Sequence, residues 1–197
     1  MNKYDTNPSE NEVLPNKLGL IDPNRINVEE ATGFANARDA AIDAFGADTV
    51  FSLQYLYDLH RLALGELYDF AGRLRTVNME KGGFMFAAAH VLPQIMHSFK
   101  DEYLDPINMR EWESDDTLRD FLGEMHAELL YIHPFREGNR RVARLFTSLI
   151  FLAKRGKELD FEVITRGNNL ARYITAVQQA ANKEYSLMRE LFREAQA

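Results

Sequence analysis

The sequence predicts an all-α domain of seven or eight helices with one β-hairpin, and three observations carry that reading. Apolar residues recur at helical spacing, as at Val50, Leu53, Leu56, Tyr57 and Leu62, the pattern of a helix packed on a core along one face. One stretch breaks the pattern: Thr76 and Val77 favour extended backbone, and Lys81-Gly82-Gly83 reads as a tight turn. Finally, Phe121 to Ile132 and Val142 to Leu152 are apolar helical runs joined by a short loop. That pair forms the centre around which the other helices gather.

A chain of 197 residues suits one domain with a buried core. Residues 1–26 are rich in Asn, Pro, Asp and Glu and lack helical periodicity, so they are expected to form an extended arm, docked through Leu14, Leu18, Leu20 and Ile21. The domain is expected to span 27–197. Asn27 is a good N-cap with Glu29 and Glu30 behind it, which predicts a helix to about Phe45, closed by Gly46. Asp48 or Thr49 then caps a helix to about Leu67, and His60 on its apolar stripe reads as structural.

After the hairpin, residues 89–104 place Val91, Leu92, Ile95, Met96 and Phe99 on one side of a helix. His90 and His97 lack a close third ligand and read as surface residues. Residues 105–113, with Pro106 and Trp112, read as a connection. Ser114 caps a helix, with Asp115 and Asp116 in its first turn, that runs to Ile132. Past the central loop, Gly156 stops the second helix of the pair. Leu159 to Ile164 is short and apolar, Thr165 or Asn168-Asn169 starts a helix to about Ala181, and Tyr185 to Glu194 makes the last. No internal repeat or low-complexity linker is visible.

Composition excludes several classes of function. A net charge of -7 and a pI near 5.3 argue against a nucleic-acid-binding face, so a local cluster of cations would serve a small anion. The absence of Cys excludes disulfides, Cys-ligated zinc and thiol chemistry. The first twelve residues are too polar for a signal peptide, and the longest apolar stretch, Leu145 to Ala153, is too short to span a bilayer. These features predict a soluble cytoplasmic protein with neither nucleic acid nor membrane as partner. They leave the oligomeric state open.

The candidate site is the loop between the central helices, His133-Pro134-Phe135-Arg136-Glu137-Gly138-Asn139-Arg140-Arg141-Val142-Ala143-Arg144. Pro134 pushes His133 out of helical geometry, which leaves its imidazole at a helix end. Gly138 permits a sharp turn, after which the free amides of the next helix face the loop. Arg136, Arg140, Arg141 and Arg144 crowd a helix start, where the macrodipole is already positive. That arrangement makes sense if an anion completes it, and phosphate suits both the amides and the forked guanidiniums. Glu137 is the loop's one carboxylate, a hard ligand for Mg²⁺ beside phosphates. His133 supplies a base. The parts are those of a phosphoryl- or nucleotidyl-transfer site.

At these residues the chain resembles the Fic family, whose signature is His-x-Phe-x-Asp/Glu-Gly-Asn-Gly-Arg-x-x-Arg. Here it runs HPFREGNRRVAR, with Arg140 in place of the second Gly. Two further stretches are similar to family patterns: Asn16-Lys17-Leu18-Gly19 in the arm, and Tyr68-Asp69-Phe70-Ala71-Gly72-Arg73-Leu74-Arg75 ahead of the hairpin. The resemblance implies the Fic fold, with the hairpin as a flap that binds a target's backbone by strand addition through Lys81, Gly82 and Phe84. It implies that His133 deprotonates a target hydroxyl, which takes AMP from ATP with release of pyrophosphate. Glu137 would hold Mg²⁺, Gly138 and Asn139 would contact the phosphate chain together with Arg140, and Arg141 and Arg144 would bind its β/γ end. Phe135 would anchor the loop.

Arg140 keeps two alternatives open. Doc toxins, similar in fold, carry Lys at the matching position and transfer the terminal phosphate of ATP, so a Doc-like kinase or another nucleotide transfer is one. A catalytically silent binding protein is the other. Many family members are held off by a helix bearing Ser/Thr-x-x-x-Glu-Gly/Asn; Thr6 to Asn11 fits its letters with Pro8 inside, and Ser186 to Leu191 fits except at its end. The resemblance therefore points to a toxin-like protein whose inhibitory helix comes from a small separate antitoxin docking near Arg144.

Overall fold

The computed structural model describes residues 13–46, 48–167 and 169–195. Most of the expected arm, and the inhibitory pattern at residues 6–11, lie outside them. Helix α1 (Pro23–Asp43) begins four residues before the expected Asn27. Pro23 is the reason, because its fixed φ and missing donor suit a first turn, and the Asp22 side chain accepts from the Asn24 amide at 2.9 Å. Helix α2 (Leu53–Leu64) is capped by Ser52, which accepts from the Tyr55 amide at 3.1 Å. Neither Asp48 nor Thr49 caps it; Thr49 accepts from the Gly46 amide instead, 3.0 Å away. The two helices cross closely, since a Cβ on Gly33 would lie 1.9 Å from the Ala63 carbonyl oxygen.

The hairpin is β1 (Glu80–Lys81) and β2 (Phe84–Met85), antiparallel, with Glu80 opposite Met85 and Lys81 opposite Phe84. Gly82 and Gly83 both take positive φ, 57° and 81°, the requirement of the two-residue turn whose twist matches paired strands. Helix α3 (Leu92–Phe99) runs through a π-helical segment, Lys100–Leu104, into α4 (Asp105–Met109) as one rod. The expected connection from 105 is thus helical to Met109. The widened turn explains it: the Asp105 amide bonds back to the Lys100 carbonyl, and Pro106, which has no amide, follows where the ladder has already slipped.

Helix α5 (Asp115–Ile132) is the axis of the molecule. Ser114 and Thr117 form a capping box at its start, and its buried residues, from Leu118 through Gly123, His126 and Leu129 to Ile132, surround it on every side. Helix α6 (Asn139–Arg155) packs beside it and stops at Gly156. Helices α7 (Phe161–Thr165), α8 (Asn169–Gln179, continued by a 3-10 turn) and α9 (Ser186–Glu194) close the remaining faces. A Cβ on Gly123 would lie 3.2 Å from the Met188 carbonyl oxygen, so α9 rests directly on the α5 backbone. With α3 and α4 taken as one rod, the described residues hold eight helices and one hairpin, the all-α architecture expected. None of these helices is long and apolar enough to cross a membrane.

Candidate active site

The loop between α5 and α6 is built from within. Phe135 is fully buried, its ring stacked on His60 at 3.9 Å and edge-on to Tyr57 at 6.0 Å. The Asn139 side chain clamps the same residue, accepting from the Phe135 amide at 2.8 Å and donating to its carbonyl at 2.7 Å. Both ends of that side chain are thereby taken up by the protein. Gly138 has φ 74°, and a Cβ there would lie 2.9 Å from Leu64 Cδ1 and 3.2 Å from the Phe34 ring. No other residue meets both demands. His60 accepts from the Gly72 amide through Nδ1 at 2.8 Å and reaches the Glu137 carbonyl through Nε2 at 3.0 Å. Burial depresses its pKa to about 4, so it is the neutral, structural residue expected.

His133 ends α5 in the left-handed conformation, φ 52° and ψ 58°, with its amide bonded to the Leu129 carbonyl at 3.0 Å. Its Nδ1 lies 3.2 Å from the Leu130 carbonyl, which assigns the proton to Nδ1 and leaves the Nε2 lone pair to accept a proton. The Phe86 ring stacks on the imidazole at 3.8 Å. Burial chiefly, then the positive charges of Arg75 and Lys81, lower its pKa to about 3 against the opposing Leu130 hydrogen bond. The group is a neutral imidazole near pH 7.

The start of α6 is electropositive, and among the described residues its cations are only partly paired. The first bond of its ladder runs from the Val142 amide to the Gly138 carbonyl at 2.9 Å, so the amides of Asn139, Arg140 and Arg141 stand ahead of the ladder. The Glu137 carboxylate accepts from the Gly138 amide at 2.9 Å and lies 3.6 Å from Arg141. Arg141 donates to Glu30 at 2.5 Å over the Phe34 ring, and Glu30 also accepts from the Tyr68 hydroxyl at 2.7 Å. Arg144 has no ion pair among the described residues; burial, Arg140 and Arg141 all lower its pKa, while Tyr173 raises it. Arg140 is exposed, and Arg136 lies over the Phe70 ring. Arg141 and Arg144 open onto a cleft of about 450 Å³ between α1, α6 and α7.

In the hairpin, Lys81 and Gly82 are exposed, whereas Phe84 is half-buried, edge-on to Phe86 at 5.5 Å and Tyr131 at 6.4 Å. The roles of two residues, Glu30 and Arg75, escaped the reading from sequence. Glu30 carried a signal: it continues the buried stripe Ile26, Phe34, Ala37 at helical spacing, where a carboxylate needs a partner. Arg75 carried less, because its partners are backbone carbonyls.

The profile of the Fic/DOC family matches residues 50–151. The protein adenylyltransferase VbhT of Bartonella schoenbuchensis is 28% identical over 177 residues, 84% of this chain and 35% of that protein. The probable protein adenylyltransferase y4lH of Sinorhizobium fredii is 28% identical over 149 residues, 75% of this chain and 74% of that protein. The chain thus spans about a third of the first relative and about three quarters of the second. Among solved structures, BepC from Bartonella tribocorum with bound AMPPNP superposes with a TM-score of 0.77 at 21% identity, covering 95% of this chain and 94% of that one. The N-terminal Fic domain of an effector from Bartonella sp. AR 15-3, a substrate of the VirB type IV secretion system, gives 0.77 at 21% identity and covers 94% and 88%.

Proposed function

This chain belongs to the Fic/DOC family, and from that premise we propose that it is a protein adenylyltransferase, moving AMP from ATP to a hydroxyl side chain of a target protein. The observation that carries this is a neutral His133, its Nε2 lone pair available, on the loop that leads into α6, whose first amides stand ahead of its ladder and whose Arg144 has no ion pair among the described residues. A target hydroxyl would give its proton to Nε2 as its oxygen bonds to the α-phosphorus; the bond from that phosphorus to the bridging oxygen breaks, and pyrophosphate leaves. Arg141 and Arg144 would bind the β/γ end, with the backbone at Gly138 and Asn139 and the side chain of Arg140 along the phosphate chain. The Asn139 side chain, spent on Phe135, serves by shaping the loop.

The residues fit Mg²⁺. Among the described residues no three His, Cys, Asp or Glu side chains gather, and Glu137 is the carboxylate of the loop, accepting from the Gly138 amide at 2.9 Å; a single carboxylate is what Mg²⁺ uses when phosphates and water supply its other ligands. Bound there, it would offset charge on the α- and β-phosphates. The relatives' names and the AMPPNP bound to BepC support the reading. Residues 27–197 would be the catalytic unit behind an arm, with Lys81, Gly82 and Phe84 lining the strand-addition edge for the target. We place its action in a cytoplasm, where ATP is plentiful, and assign its inhibition, in toxin-antitoxin fashion, to a small antitoxin helix that reaches Arg144.

Intact-protein mass after incubation with Mg²⁺ and ATP, alone and with host lysate, tests the reading beside a His133→Ala control. A gain of one AMP that vanishes in the control is expected. Arg140, exposed and cationic beside Arg144, favours one second reading: transfer of the terminal phosphate, which would appear as a gain of one phosphate. Bound nucleotide with no gain, even after Arg140→Gly, would mark a silent binding protein.

A further inference from the structure

We propose that Arg75 is a positioning residue for the transfer: its buried guanidinium fixes the backbone of His133 and both roots of the hairpin, so that the base and the strand receiving the target keep one register. The proposal rests on the adenylyltransferase reading for its function, though its geometry stands alone. Arg75 is 3% exposed. Its Nε donates to the His133 carbonyl at 2.7 Å and its Nη1 to the Val77 carbonyl at 2.6 Å. Nη2 donates to the Ala87 carbonyl and, at 3.2 Å, to that of Ile132. The Arg75 amide adds a bond to the Pro134 carbonyl at 2.9 Å. Val77 lies just before the hairpin and Ala87 just after it, so one side chain spans entry, exit and base.

Two physical points make this more than packing. A buried cation is costly without a counter-charge, yet all four acceptors are carbonyls. Ile132 and His133 lie at the C-terminal end of α5, where the macrodipole is negative, and that end supplies the missing charge. The stack of Phe86 on the imidazole then links the exit root to the base itself, while Phe84 on Tyr131 pins β2 to α5. Only a planar fork with five donors can satisfy three segments at once; the ammonium of Lys cannot.

The test compares the full chain with Arg75→Lys by hydrogen exchange and imidazole ¹⁵N spectra. The amides of Phe86, Ala87 and His133 should exchange about tenfold faster or more, those of α6 and α9 should be unchanged, and the single Nδ1–H tautomer of His133 should become a mixture. Acceleration spread evenly over α6 and α9, or none at the hairpin, overturns the proposal. If the variant is insoluble, native-state exchange of the unaltered chain decides. Amides of Arg75, Phe86, Ala87 and His133 that open together support it; hairpin amides that open while Arg75 and His133 stay protected overturn it. None of these readouts uses nucleotide, so they are distinguishable from a failure of AMP transfer. Where transfer is seen, Arg75→Lys should lower labelling of lysate protein from α-labelled ATP about tenfold with AMPPNP affinity unchanged; an equal loss of both overturns the proposal.

Discussion

Residues of the central loop divide into those that hold it and those the proposed reading assigns to a nucleotide, and the two groups should respond oppositely to truncation. Asn139→Ala would leave the buried amide and carbonyl of Phe135 without partners, a cost of about 2–3 kcal/mol. Chemical denaturation reads this directly; an unchanged midpoint would contradict the clamp. Arg144→Ala removes a crowded cation that has no ion pair among the described residues, so stability should stay within about 1 kcal/mol while nucleotide affinity falls about tenfold or more. Equal losses of stability and affinity would make Arg144 structural. The loop's place between two helices, with His133 at a helix end, was legible because Pro134 and Gly138 interrupt two apolar runs. What could not be read is that Asn139 is spent on the loop and that Arg141 already holds a carboxylate, since Glu30 lies 111 positions away. Sequence spacing constrains neighbours on a helix, but not partners across a fold.

At the scale of elements, helix identity was legible and helix starts less so. Ser114 announced α5 because cap, first-turn acids and apolar stripe agree. Asn27 misled because it also resembles a cap, while the true start at Pro23 was absorbed into a Pro-rich arm; the π segment at Lys100–Leu104 has no composition signal at all. Close crossings are equally silent, and they are testable. Gly33→Ala puts a methyl into the Ala63 carbonyl, a backbone group that cannot swing away, so α1 must lift from α2 at a cost of about 1–3 kcal/mol. Because α1 carries Glu30 and Phe34 to Arg141, nucleotide affinity should fall with it. A variant as stable as the parent would show that the crossing has slack. Ser114→Ala, at the far end of α5 from the loop, should cost about 1 kcal/mol and leave affinity unchanged.

For the whole molecule, the packing that makes the site also makes the fold sensitive to acid. His60 and His126 are fully buried and His133, at the loop, partly so; their pKa values are pushed down to about 4, 3 and 3, in each case chiefly by burial. His126 is fixed between the Thr147 hydroxyl at 3.1 Å and that of Tyr173 at 2.6 Å, which joins α5 to α6 and α8. All three are neutral in the folded chain at pH 5 but charged in the unfolded one, whose imidazoles titrate near 6.5. Below 6.5 the unfolded state therefore binds more protons, and stability falls as pH falls, by up to roughly 1.4 kcal/mol per pH unit for each of His60 and His126 until its folded pKa is reached, and by less for His133, whose charged form solvent partly screens. Above about pH 7 these groups contribute no slope. Urea midpoints should accordingly be flat from pH 7 to 8 and drop steeply from 6.5 to 5. His126→Gln, which removes one of the two fully buried titrating groups, should lower stability at pH 7 yet flatten the decline by about a third to a half. If instead the midpoint holds to pH 5, water must reach His60 and His126 and solvate their charged forms, and the core around them would not be dry.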